Sequence, residues 1–281
     1  KKLQTINCKG TLIDLAEPRV MGIINITPDS FYDGGATTTE SQIIKQASKM
    51  IEQGATFLDV GGYSSRPGAT DISQQQEINR VVPAIEAIIK QFPEALISID
   101  TFRSEVAKQA VKAGACMVND ISAGKLDSRM LETIGALQIP YIMMHMRGTA
   151  QTMKSLTEYQ NITKEVLFYF SERIAAARAL NINDIIVDPG FGFAKNTDQN
   201  FELLNHLELF ETLYLPVLAG VSRKSMVYKT LDISAKQALN GTTALHMVAL
   251  QKGARILRVH DVKPAKECIT LFKQLNTSMS N

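Results

Sequence analysis

The sequence predicts an α/β fold: eight strand–helix units closed into a (β/α)8 barrel, preceded by a short N-terminal β-hairpin. Three observations carry this. A unit of about 30 residues recurs, in which a short apolar run, a polar or Gly-rich break and an amphipathic helical pattern follow one another. The apolar runs number eight and are largely unbroken, as parallel strands covered on both faces require. The chain has 281 residues, against the ~250 usual for such a barrel.

Before the first unit, LQTINCKGTLIDL (3–15) alternates polar and apolar residues around Lys9-Gly10. It reads as a small hairpin within residues 1–18, plugging the barrel's bottom. The first run, 20–26, leads through TPDSFYDGG (27–35) to Thr37-x-x-Glu40, a capping-box pattern. The helix that follows carries Ile43, Ile44, Ala47, Met50 and Ile51 on one face and stops at Gly54. After the second run, 57–61, and GGYSSRPGAT (61–70), a helix presents Ile78, Val81, Val82, Ile85, Ile88 and Ile89, with Pro83 as a kink point. The third and fourth runs, 95–100 and 117–121, precede helices at 103–113 and 127–138. The fifth, 140–146, precedes 158–180, and the sixth, 184–188, leads through DPGFGF to 197–211. The seventh, 216–221, meets Ser222-Arg223-Lys224 at a helix start before the pattern at 234–252, and the eighth, 254–259, precedes 263–275. No linker or composition shift divides the chain, so residues 19–275 form one barrel domain with a tail at 276–281.

Composition bounds the function. Hydrophobic residues are 45% and charged residues 21%, and 30 Lys and Arg stand against 28 Asp and Glu for a net charge of +2. That balance speaks against general nucleic-acid or membrane-surface binding while leaving room for a local anion pocket. Cys8, Cys116 and Cys268 form no CxxC pair or zinc spacing, which suits reduced thiols in a cytoplasmic protein. No apolar run approaches the ~18 residues of a membrane helix, and Lys1-Lys2 leads into no signal-peptide core.

In a barrel, chemistry gathers where strands end and βα loops begin. That edge holds Asn25, Asp59, Asp100, Asn119-Asp120, His145, Asp188, Arg258 and His260. Helix capping or inter-strand hydrogen bonding accounts as well as function for any single Asp, and Asp120 is read that way. The convergence of so many on one mouth is what favours a site. Arg258 and His260 lie two apart and share a strand face. With Arg66 they suit an anion pocket, the other reading of Arg258 being a structural salt bridge. Lys224 reads equally as an anion-binding group at a helix start or as a solvated cation.

The loops 27–35 and 61–70 hold Phe31, Tyr32, Tyr63 and Arg66 among Gly, Pro, Ser and Asp, which fits closing lids better than plain turns. DPGFGF lacks the third Gly of a dinucleotide fingerprint, and P-loop, HExxH and GxSxG are absent. Of the four histidines, His206 and His246 fall within helix patterns and read as structural.

MGIINITPDSFYDGG, DVGGYSSRPGA, SIDT, VNDIS, MHMRG, DPGFGFAK, GVSRKS and RVHDV together resemble, in order and spacing, the signatures of the dihydropteroate synthase family over about residues 20–265. SIDT and VND also occur in related pterin-binding methyltransferase domains. The resemblance implies a TIM barrel, usually a homodimer, that joins 6-hydroxymethyl-7,8-dihydropterin diphosphate to 4-aminobenzoate with Mg2+ assistance in folate synthesis and is the sulfonamide target. It assigns Asp100, Asn119, Asp188 and Lys224 to the pterin, lined by Ile121, Met144, Phe193 and Gly220, with Arg258 stacked over it. Asn25, Ser65, Arg66, Arg258 and His260 would hold the diphosphate, with Asn25 also on the metal and Asp29 and Asp33 as further acidic neighbours. Phe31, Ser65, Pro67, Phe193 and Ser222 would shape the aminobenzoate site, and Lys224, Arg66 and Asp100 would be catalytic. The chain departs from the common GGESTRPG at Tyr63 and Ser65. A non-catalytic pterin-binding module would keep Asp100, Asn119 and Asp188 without needing SSRPG, SRK or RVH. A phosphosugar-binding barrel would lack the pterin-reading trio.

Overall fold

The computed structural model describes residues 4–26, 36–65 and 69–278. Thr5–Cys8 (β1) and Thr11–Asp14 (β2) pair antiparallel. Lys9 and Gly10 have φ of 53° and 82°, the backbone of a two-residue type I′ hairpin. Asn7 Oδ1 accepts the Gly10 N–H at 2.8 Å, and the Asn7 N–H reaches Asp184 Oδ2 at 2.8 Å, tying the hairpin to the barrel floor.

The barrel strands are Arg19–Asn25 (β3), Phe57–Gly61 (β4), Leu96–Asp100 (β5), Met117–Asp120 (β6), Tyr141–Met144 (β7), Ile185–Asp188 (β8), Val217–Ala219 (β9) and Ala254–Val259 (β10). They pair in parallel and in chain order, and β10 closes on β3. Each lies within two residues of an apolar run. Alternation gives every strand two faces. Outward residues such as Val20, Leu58, Ile97 and Leu257 join the core under the helices. Inward residues near the strand starts, among them Met21, Phe57, Ile142, Ile186 and Ile256, cluster with Ile6, Cys8, Ile13 and Leu15 of the hairpin segment. The hairpin is therefore a plug, and each fully buried side chain in it contributes about 1.5–3 kcal/mol by leaving water.

The helices are Ala36–Glu52 (α1), Gln74–Gln91 (α2), Ser104–Ala113 (α3), Met130–Leu137 (α4), Ile162–Ala179 (α5), Thr197–Asn205 (α6), Ser225–Leu231 (α7), Leu239–Gln251 (α8) and Val262–Ser278 (α9). Thr37 falls within the span of α1. A capping box does open α2, from Ser73 and Gln76, and that helix runs unbroken through Pro83 because its buried face of Val81, Ala84, Ile85 and Ile88 outweighs one lost backbone bond. Asn161 caps α5 by accepting the Lys164 N–H at 3.1 Å, so the helix starts later than its pattern. The patterns at 197–211 and 234–252 each resolve into an α-helix and a 3₁₀ turn, at Leu207–Leu213 and Ala235–Gln237. The short α7 opens at the helix start expected at Ser222-Arg223-Lys224, although periodicity did not mark its length, and α9 continues three residues into the predicted tail. The three cysteines are free and buried. Among the described residues no helix is long and apolar enough to cross a membrane.

Candidate active site

The alternation that fills the floor with apolar side chains brings polar ones inward one step higher. Phe57 is followed on its face by Asp59, and Ser98 by Asp100. The register sets Asp59 beside Ser98 and Asp100 beside Asn119. Arg258 enters this layer from β10. Its Nε donates to Asp59 Oδ2 at 2.7 Å and its Nη2 to Asp100 Oδ2 at 3.3 Å. Asp59 also accepts from Ser98 Oγ at 2.5 Å and from Asn119 Nδ2 at 3.2 Å, and it is only 1% exposed. Arg258 and His260 share a face as the spacing requires, but two donor nitrogens of the Arg258 guanidinium, Nε and Nη2, are committed to carboxylates. The structural salt bridge is thus what Arg258 makes in the free protein.

Burial, and then the negative charge of Asp59, push the Asp100 carboxyl up to about 8, with Arg258 pulling the other way. Burial works against the Arg258 charge, yet Asp59 and Asp100 outweigh it and hold the guanidinium charged. A Cβ at Gly61 would stand 3.2 Å from Asp100 Cβ, so a glycine at the end of β4 leaves that carboxylate its room.

Across the mouth, Asp188 ends β8 and accepts the Gly190 N–H at 2.9 Å. Its carboxyl is pushed up by burial and pulled back by Lys224. Lys224 stands at the N-cap of α7. Its Nζ donates to Phe191 O at 2.6 Å and lies 4.9 Å from the Phe193 ring centroid. Burial pushes this ammonium down to about 8, against the attraction of Asp188. Lys224 is no solvated surface cation.

Lys195 was not foreseen as a site residue. It is buried, and its Nζ donates to Gly190 O at 2.9 Å and Phe193 O at 2.8 Å, with His145 Nδ1 at 2.9 Å. Burial holds both Lys195 and His145 well below their ordinary values, which favours a neutral imidazole whose Nδ1 pairs with Lys195 Nζ. Gly190 has φ 76°, and a Cβ there would come within 2.0 Å of His145 O. Only glycine lets the 188–193 loop dock on β7 this closely. Two lysines then grip that loop by its carbonyls, Lys195 at Gly190 and Phe193 and Lys224 at Phe191. The signal available in the sequence was the Lys of DPGFGFAK itself.

The remaining expected residues divide clearly. Ile121 and Met144 share an apolar cluster at the rim with Met146, Ala150, Met153 and Ala194, and Tyr63, Phe102 and Phe193 pack against it. Gly220 follows β9 beside Lys224, where a Cβ would stand 3.5 Å from Nζ. Ser222 Oγ lies 2.9 Å from His260 Nδ1 and accepts the His260 backbone N–H at 3.1 Å. Asn25 ends β3 with an exposed side chain, and Ser65 is half-buried on the second loop. Arg223 turns away to Asp261, at 2.7 and 3.2 Å. Asp120 faces outward, accepting from the Ser122 and Gly124 N–H groups and from Tyr141 Oη, which is the structural role read for it. His206 caps α6 and His246 is buried in α8. Phe31, Arg66 and Pro67, with Tyr32, Asp29 and Asp33, lie outside the described residues.

A buried layer of carboxylates and an amide, under two cations and an apolar rim, suits a flat heterocycle edged with hydrogen-bond donors and carrying an anionic arm. Comparison with known proteins agrees. The family model described as pterin binding enzyme matches residues 21–260. The dihydropteroate synthase of Escherichia coli strain K12 is 41% identical over 97% of both chains. A structure of the Xanthomonas albilineans dihydropteroate synthase with 4-aminobenzoic acid superposes with a TM-score of 0.90 at 39% identity, covering 98% of this chain and 99% of that one. The same enzyme in complex with 7,8-dihydropteroate gives 0.86 at 37% identity, covering 97% and 98%. By its family model, its sequence and its fold, the chain belongs to the dihydropteroate synthase family of pterin-binding enzymes.

Proposed function

We propose that this chain condenses 6-hydroxymethyl-7,8-dihydropterin diphosphate with 4-aminobenzoate, releasing pyrophosphate and 7,8-dihydropteroate for folate biosynthesis. It acts as an alkyl transferase of the pterin-methyl group. The observation that carries this is the Asp59–Asp100–Asn119–Arg258 layer facing Asp188 and Lys224, in a chain related to dihydropteroate synthases along 97% of its length.

Asp100, Asn119 and Asp188 read the amide and amino edge of the pterin, and Lys224 meets it from the loop side. Ile121, Met144, Phe193 and Gly220 line its faces. Arg258, already oriented by Asp59, stacks on the ring and turns its remaining edge to the diphosphate. Asn25, Ser65, Arg66 and His260 complete that anion site, while Phe31, Ser65, Pro67, Phe193 and Ser222 shape the aminobenzoate pocket. The methylene C–O bond breaks with its electron pair leaving on pyrophosphate. The arylamine lone pair then forms the C–N bond, and the amine proton goes to solvent. Carboxylates beneath the ring favour the cationic pterin-methyl centre of this SN1-like displacement, and Arg66, Arg258 and His260 favour the departing charge. No nucleophilic side chain is required.

Asn25 offers a hard amide oxygen at the exposed end of β3. Mg2+ takes hard oxygen donors and draws most of its shell from substrate phosphates and water, so an amide oxygen beside the diphosphate suits it. When bound there, Mg2+ supplies neutralisation of the diphosphate charge. A homodimer in the cytoplasm, with sulfonamides competing for the aminobenzoate pocket, follows from the same reading.

The test is to mix the pterin diphosphate, 4-aminobenzoate, Mg2+ and the protein and measure pyrophosphate. Release that depends on both substrates is expected. Tight pterin binding with no pyrophosphate above background would make the chain a binding module instead.

A further inference from the structure

Two loops at the mouth are joined by side chains outside the pterin-reading set. Gln151, in the loop after β7, donates from Nε2 to Tyr63 Oη at 3.1 Å and to Ala69 O at 2.9 Å. In the sequence those acceptors flank Ser65. Tyr63 is itself held. Its ring meets Phe102 edge to face, centroids 5.0 Å apart, and the Arg103 guanidinium lies 5.5 Å from its centroid. Arg103 is anchored in turn by Glu77 at 3.1 Å, Ile72 O at 2.7 Å and Asp71 at 3.5 Å.

This is where the chain departs from GGESTRPG, with Tyr63 in place of Glu. A carboxylate here would be the third around one guanidinium. Glu77 is already buried with one oxygen lacking a partner in the structure, and burial pushes its carboxyl up. Tyrosine supplies a ring for Arg103 and a hydroxyl for Gln151 without adding charge.

Resting on the function proposed above, we infer that Gln151 and Tyr63 are positioning residues: a neutral clasp that ties the second loop, at Tyr63 and Ala69, to the loop after β7 and so sets how Ser65 meets 4-aminobenzoate and the diphosphate. The strand-borne residues that read the pterin ring do not depend on it.

Gln151→Ala is the first test and Tyr63→Phe the second. In Gln151→Ala the Michaelis constant for the arylamine substrate is expected to rise about 3–10-fold, the factor that one or two neutral hydrogen bonds carry. Tyr63→Phe should raise it less, since the Tyr63 ring and the Gln151 bond to Ala69 O remain. Affinity for the bare 6-hydroxymethylpterin should not move. Amide hydrogen exchange in peptides spanning 62–70 should quicken in Gln151→Ala while the barrel strands keep their protection. An unchanged Michaelis constant with unchanged exchange would overturn the clasp and leave the proposed reaction standing. Protection lost evenly across the barrel would also overturn it, as a merely structural contact. If wild type forms no product, the reaction fails, and exchange over 62–70 alone decides the clasp.

Discussion

The floor and the mouth of the barrel are built from the same strands two residues apart, and they obey different rules. On the floor, Met21, Phe57, Ile186 and Ile256 need only fill the volume left by Ile6, Ile13 and Leu15. At the mouth each buried group needs a particular partner. Asp59 has three donors and Lys195 has Gly190 O, Phe193 O and His145 Nδ1. Asp100, Asp188 and Lys224 are the incompletely matched ones: among the described residues Asp100 meets Arg258 alone, Asp188 the Gly190 N–H and Lys224 the single carbonyl of Phe191. The lesson is that the floor stores stability, and the mouth stores unmet interactions that a substrate completes.

Substitutions at the two ends should therefore separate stability from chemistry. Leu15→Ala removes a fully buried floor side chain and should cost about 2–5 kcal/mol, read as a lowered thermal transition with KM unaltered in the folded protein. Lys224→Ala should do the reverse. It removes a charge that burial disfavours, so the transition should stay near wild type, while kcat/KM falls about 10²–10³-fold. Arg66→Ala should follow Lys224→Ala. A mouth variant that unfolds, or a floor variant that shifts KM, would break the comparison.

The same contrast explains what was legible from residues alone. The floor and the strands could be read because apolar runs and period-two alternation are local properties, and Lys9-Gly10 names its own turn. Asp59 was visible at a strand end, but its bond to Arg258 spans 199 residues and exists only because β10 closes on β3. Lys195 and His145, 50 apart, meet only through the β7–β8 pairing and Gly190. The departure at Tyr63 was readable. Its partner Gln151, 88 residues away, was not. The start of α7 was readable at Ser222-Arg223-Lys224, but its seven residues hold too few turns to show a helical period.

The smallest effect sharpens the comparison most, because it follows protons rather than lost atoms. Asp100 is held near 8 and Lys224 near 8, from opposite directions. On the proposed reading, the N–H edge of the pterin needs Asp100 ionised, and contact with Lys224 favours its ammonium. Below pH 8 the free protein must release the Asp100 proton to bind, so affinity should fall up to about tenfold per pH unit as pH drops. Above pH 8 it must take a proton up at Lys224, and affinity should fall again. Binding of 6-hydroxymethylpterin should therefore peak near pH 8. Calorimetry in buffers of different ionisation enthalpy should show proton release on the acid side and uptake on the basic side. Asp100→Asn, which cannot ionise, should bind more weakly and lose the acid-side slope alone. An acid-side slope that survives in Asp100→Asn would assign the proton to another group and would mean that Asp100 is matched as fully as Asp59.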